Sequence, residues 1–178
     1  MYVPMWVFAY GSLIWDPGFP VAETCVARAS GWHRSFCMRS IHHRGTVDAP
    51  GLVLALDEKT GAVCDGLALL VAPGAEAATL TMLRERELVS SAYLEREVPV
   101  TLADGRPVSA LAYVIDPAHA QYCHLSLNEQ ARIIAKAVGG RGRNRDYLSA
   151  TARHLAELGI ADPDLDWLAH HVASLPEM

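Results

Sequence analysis

No apolar run in this 178-residue chain approaches membrane-spanning length. The expected protein therefore neither crosses nor, at a net charge of −5, favours an anionic membrane surface. Basic charge is also short, with 15 Lys+Arg against 20 Asp+Glu, which argues against broad nucleic-acid binding. Cysteine is sparse: Cys25, Cys37, Cys64 and Cys123 show no paired spacing, so they read as reduced thiols and not as zinc ligands or disulfides. The start of the chain has no basic n-region or cleavage site, and the cytoplasm is the expected compartment. Repeats, low-complexity tracts and dividing linkers are absent too, so one domain over 1–178 is expected, with 126–178 a helical part packed on the rest.

What is present is apolar substance, 51% of residues against 20% charged, as a folded core requires. The first two thirds read as short strands. Met5 to Ala9, Arg34 to Met38, Leu52 to Leu56 and Cys64 to Val71 are apolar or β-rich runs. Asp57 to Gly61 reads as a hairpin loop between two of them. Tyr93 to Leu102 and Val108 to Ile115 form another pair through Asp104-Gly105, with Pro107 limiting pairing at the turn. A helix is expected from about Ala75 to Leu88. The last third is helical: Ser126 and Glu129 make a capping box, Gly139-Gly140 closes that helix, Asn144 caps the next and Gly159 ends it. Asp162-Pro163 opens the last. Strands followed by helices predict an α+β fold with a barrel-like sheet.

Two stretches carry chemistry. The buried strand near the N-terminus breaks at Gly11-Ser12, and such a bend leaves N–H groups suited to an anion or oxyanion. Taken alone, the same residues make an ordinary turn. In the expected helix, Ala77, Leu80 and Leu83 share a face, and Glu87 continues it, whereas Glu85 and Arg86 point toward solvent. A carboxylate there is paired, neutral or catalytic, and desolvation would raise its pKa toward that of a useful acid or base. Periodicity alone leaves a second reading open, a frayed helix end with Glu87 turned to water.

Other groups offer less. His42-His43 in a strand would face opposite ways, so they make poor joint ligands, and a solvated turn before Gly45 fits better. His170-His171 reads as surface, and Arg141 to Arg145 as a solvated basic loop. Ser12 has no evident His-Asp partners for a nucleophile. Tyr10, Tyr93 and Tyr147 each read singly as core or rim.

In order, several segments resemble the ChaC-type, glutathione-specific γ-glutamylcyclotransferases. They are Phe8 to Trp15, Phe36, His43-Arg44-Gly45-Thr46, Pro50-Gly51, Cys64-Asp65-Gly66, Arg86-Glu87 with Tyr93 six residues on, and Gly142-Arg143-Asn144 with Tyr147-Leu148. The chain has Cys37-Met38-Arg39-Ser40 where many eukaryotic members have Trp-Gln-Gly-Ser, and Ser91-Ala92 where they often have Gly-Gly. The resemblance implies a small mixed β-barrel with flanking helices. It implies that the loop Tyr10, Gly11, Ser12, Leu13 holds the γ-glutamyl group, with Tyr10 and Tyr93 lining the pocket. It maps the single acid/base onto Glu87, the residue that helical spacing had singled out. The implied reaction is attack of the γ-glutamyl α-amine on its own γ-carbonyl, turning glutathione into 5-oxoproline and Cys-Gly without metal or cofactor. Arg39 or Arg44 would meet the glycine carboxylate. A cyclotransferase for other γ-glutamyl compounds, or a binding protein that has lost turnover, are the alternatives.

Overall fold

The structure is a computed structural model that describes residues 3–88 and 91–176. By contacts the chain divides into two compact units, Met1–Arg34 with Leu56–Asp116, and Ser35–Ala55 with Pro117–Met178. The strands are β1 (Trp6–Ala9), β2 (Val21–Ser40), β3 (Gly51–Val71), β4 (Tyr93–Leu102) and β5 (Pro107–Ile115). They close a barrel in the order β1-β3-β2-β4-β5, with a further β3–β5 pairing. The fold is mixed α+β, as expected.

In the first unit β1 is antiparallel to β3, from Trp6 opposite Leu70 to Ala9 opposite Leu67. Its other edge runs parallel to β5, with Trp6 opposite Ala110. β4 and β5 form the expected hairpin, and Pro107 stands at its start opposite Thr101, where a missing N–H does least harm. Every residue of β1 is buried, the pattern of a strand covered on both faces. Helix α1 (Glu76–Glu87) lays Leu83 into a cluster with Val7, Ala9, Leu13, Leu67, Leu69, Val71 and Tyr113. Its buried stripe is Thr79 and Leu83; Ala77, expected on that face, is exposed. Glu87 still follows Leu83 by one helical turn.

The expected hairpin loop at Asp57 to Gly61 does not form: β3 runs unbroken from Gly51 to Val71. Gly61 takes φ +84 within it, and a glycine at positive φ can bend a strand without ending its pairing. β2 likewise begins at Val21, well before the expected Arg34, and carries Gly31 at φ +86.

The second unit holds α2 (Leu127–Lys136), the two-residue strands β6 (Val138–Gly139) and β7 (Gly142–Arg143), α3 (Asn144–Glu157) and α4 (Pro163–Ala173). Ser126 caps α2 by accepting from the Glu129 N–H at 3.2 Å, and Asp162 caps α4 by accepting from Leu165 at 3.1 Å. Gly139-Gly140 does not close α2. The helix stops at Lys136 because Ala137 turns extended, and Gly139 pairs with Gly142 in a small hairpin. Asn144 is not a cap either: Arg143 holds that position, and the Asn144 amide is spent elsewhere. It accepts from the Leu52 N–H at 2.7 Å and donates to the Leu52 carbonyl at 2.8 Å, as a neighbouring strand would. Among the described residues no helix is long and apolar enough to cross a membrane.

Candidate active site

The bend after β1 is held from below. Tyr10 ends the strand with its hydroxyl donating to the Tyr113 carbonyl at 2.6 Å. Its own carbonyl accepts from Arg34 Nε at 2.8 Å, and the other arm of that buried guanidinium donates to the Asp65 carbonyl. Gly66 lets β3 come this close, since a Cβ there would lie 2.3 Å from the Ala9 carbonyl oxygen. Ser12 to Ile14 then form one 3-10 turn. Its bonds are donated by Ile14 to Gly11 at 2.9 Å and by Trp15 and Asp16 to Ser12 at 3.3 and 2.9 Å. The N–H groups of Gly11, Ser12 and Leu13 precede that ladder and take no part in it.

The far end of α1 faces the bend. Glu87 has a side chain only 16% exposed, while Glu85, one of the residues expected in solvent, is exposed. Arg86, also expected in solvent, is not. Its side chain is 22% exposed, and it donates through Nη1 to the Asp16 carbonyl at 2.7 Å and through Nη2 to Ser12 Oγ at 3.2 Å. Its Nε lies 3.5 Å from Glu87 Oε1. One guanidinium thus touches both the bend and the carboxylate. The reason is reach: spacing places Cβ atoms, but a long side chain sets its head down elsewhere.

A second carboxylate, Glu95 on β4, is already committed. Arg84 grips it with two bonds, Nε to Oε1 at 3.0 Å and Nη2 to Oε2 at 2.9 Å, and the Tyr113 phenol donates to it at 3.0 Å. The Arg84 hydrogen bonds hold its pKa below the usual carboxylate range, aided by Tyr113 and opposed by burial. Tyr113 is pushed the other way, by burial first, then by the Glu95 hydrogen bond and the charges of Glu95 and Glu87. It therefore stays a neutral phenol at any physiological pH. Tyr93 starts β4 opposite Ile115 and packs, partly buried, on the cluster that contains Leu13, Leu83 and Tyr113.

The first unit thus gathers Tyr10 to Leu13, Arg86, Glu87, Tyr93 and Tyr113. Sequence reasoning missed Arg34, Tyr113 and Glu95, and misplaced Arg86. Arg34 left a faint trace, a lone cation of the same strand parity as Phe36 and Met38. Tyr113 left none within an apolar strand. In the second unit Arg44 lies over the Tyr147 ring, 5.4 Å to its centroid, and donates to the Arg143 carbonyl at 3.2 Å. His42 and His43 lie largely exposed in the irregular segment after β2; partial desolvation of the His43 ring, then Arg141, His42 and Arg44, hold its pKa below its usual value. No group of three or more metal-ligating side chains occurs among the described residues.

Known proteins share this chain's sequence and its fold. A γ-glutamylcyclotransferase from Escherichia coli K12, named as specific for glutathione, is 37% identical over 97% of this chain and 74% of its own. The Arabidopsis thaliana γ-glutamylcyclotransferase 2-3 is 33% identical over 94% of this chain and 88% of its own. A crystal structure of a yeast γ-glutamylcyclotransferase specific to glutathione superposes with a TM-score of 0.87, covering 97% of this chain and 96% of that one at 22% identity. The model of the ChaC-like protein family matches residues 5–175, and the chain belongs to that family.

Proposed function

We propose that this protein is a γ-glutamylcyclotransferase that converts glutathione to 5-oxoproline and Cys-Gly, with Glu87 as its single general acid/base. One observation carries the assignment of Glu87: a largely buried carboxylate at the end of α1, linked through Arg86 to the Ser12 bend. The names and coverage of the E. coli and Arabidopsis relatives support the reaction and, for the first, the substrate. The family match runs across both compact units, which supports reading them as one functional domain.

The substrate carries its own nucleophile, so the protein needs none. It must bend the γ-glutamyl chain until the α-nitrogen meets the γ-carbonyl carbon, and proximity of that kind supplies much of the rate. Glu87 takes a proton from the α-ammonium. The freed amine attacks, a C–N bond forms, and the carbonyl oxygen gains the electron pair. N–H groups of Gly11, Ser12 and Leu13 stabilise that oxygen, or else hold the α-carboxylate. When the oxygen's electrons return, the bond to the cysteine nitrogen breaks, Glu87 gives its proton to that nitrogen, and the second proton shed by the ring nitrogen leaves the released Cys-Gly amine as an ammonium. One carboxylate serves both steps. Tyr10 and Tyr93 line the pocket. Glu95 is unsuited to the task because both of its oxygens are already taken, by the two Arg84 hydrogen bonds and by the Tyr113 phenol. None of the four cysteines is in a disulfide, which fits the reducing cytoplasm in which we place the enzyme.

The test is Glu87→Gln with glutathione as substrate and 5-oxoproline as the measured product. Loss of the acid/base group should lower kcat by about 100-fold or more, with an unchanged far-UV spectrum. Glu85→Gln, on the exposed side of α1, should stay within about twofold of wild type. Near-normal turnover by Glu87→Gln would end the assignment.

A further inference from the structure

We propose that Arg86 is a positioning residue that sets Glu87 in register with the Ser12 bend and keeps it in the charged form that accepts the first proton. The inference rests on the reading of Glu87 as the acid/base and deepens it. Neighbouring residues on a helix point about 100° apart, so nothing in α1 alone brings Arg86 and Glu87 to one task. The guanidinium does so by wrapping back over the helix end. Nη1 holds the Asp16 carbonyl at 2.7 Å, Nη2 holds Ser12 Oγ at 3.2 Å, and Nε stands 3.5 Å from Glu87 Oε1. Gly18, at φ +76, takes a backbone conformation that other residues rarely adopt and so lets the loop turn beside the guanidinium.

A planar fork of five donors can serve backbone, hydroxyl and carboxylate at once, which a lysine ammonium cannot. The bend and the carboxylate are the two ends of the proposed reaction, one meeting the developing oxyanion or the α-carboxylate, the other moving protons. A shift of about 1 Å between such groups is enough to cost on the order of 100-fold in rate. The cation also opposes protonation of its neighbour. Arg86 from its own helix and Tyr113 from β5 act on Glu87, with Glu95 of β4 behind that phenol and Arg84 pairing Glu95. Asp16 lies beyond Arg86, its Oδ2 3.9 Å from Nη2. Tyr113 is neutral and Glu95 is paired to Arg84, while Arg86 brings a positive charge to 3.5 Å from the Glu87 carboxylate.

The experiment compares wild type, Arg86→Gln, Arg86→Lys and Glu87→Gln for kcat, KM and the pH profile of kcat/KM with glutathione. Arg86→Gln should lose about tenfold or more in kcat with KM within about threefold. The acidic limb of its profile should rise by about one pH unit, because a nearby cation lowers a carboxyl pKa by that order. Arg86→Lys should return the limb to its wild-type place but stay about fivefold or more down in kcat, since charge is restored and the fork is not. A merely structural role would move neither the limb nor its rescue. Wild-type kcat and limb in Arg86→Gln would overturn the proposal. If that variant fails to fold, wild-type kcat in Arg86→Lys does the same. A dead Glu87→Gln beside unaffected Arg86 variants refutes this inference alone, whereas an active Glu87→Gln refutes the acid/base reading beneath it.

Discussion

Asn144→Asp replaces one amide nitrogen by oxygen and should cost more than any other isosteric change in the second unit. Asn144 is fully buried, and its amide satisfies both polar groups of Leu52. A carboxylate can still accept from the Leu52 N–H, but its second oxygen would face the Leu52 carbonyl at the 2.8 Å now spanned by a hydrogen bond. Two acceptors cannot share that gap, so the introduced carboxyl must hold a proton and donate it. An unfolded Asp titrates near 3.9. Keeping the folded group protonated at pH 7.5 then costs about 1.4 kcal/mol per pH unit above that value, or about 5 kcal/mol. The sign is that of a raised folded-state pKa. The penalty is absent below the unfolded pKa and grows as pH rises toward the folded one. Between pH 7.5 and pH 5 it should shrink by about 3.4 kcal/mol. Urea unfolding of wild type and variant at both pH values measures this. Asn144→Ala is the control, with a loss of about 2–4 kcal/mol from two unsatisfied backbone groups and no pH dependence of its own. A wild-type-to-Asp gap that stays flat from pH 7.5 to pH 5 would refute the reasoning.

Gly66→Ala places a Cβ 2.3 Å from the Ala9 carbonyl oxygen and must push β3 away from β1. The expected loss is about 3 kcal/mol or more, read as a fall of roughly 10 °C in Tm, with turnover reduced because the bend hangs from that strand pair. Ser91→Gly should act the other way. Ser91 sits at φ +61, the left-handed region that favours glycine, and the swap should raise stability in a urea titration by about 1 kcal/mol.

Local chemistry was legible, the β4–β5 hairpin included, and contacts between distant segments were not. The Ser126 and Asp162 caps formed as read, because a cap needs only a few consecutive residues. Gly61 was read as the end of a hairpin loop; in fact β3 continues through it with φ +84. Gly139 was read as a helix stop, yet its hydrogen atom serves close packing: a Cβ would lie 2.4 Å from the Gly45 nitrogen. For Gly139 the sequence shows that a side chain is absent, while the reason lies in a loop far away in the chain. Asn144 fails for the same cause, since its partner is Leu52, 92 residues away.

The site divides along the same line. Glu87 could be found from its own helix because a carboxylate one turn beyond a buried leucine contradicts its surroundings. Arg86 could not, because an arginine beside it contradicts nothing; its meaning lies in Ser12 and Asp16, on another element. The contrast bears on the chemistry. A general base can be placed by burial alone, but its alignment to an oxyanion site must come from a group that reaches both. If that group is Arg86, the bend and the helix end form one device. Loosening the loop, as a β-branched residue at Gly18 would, should then lower kcat without touching Glu87.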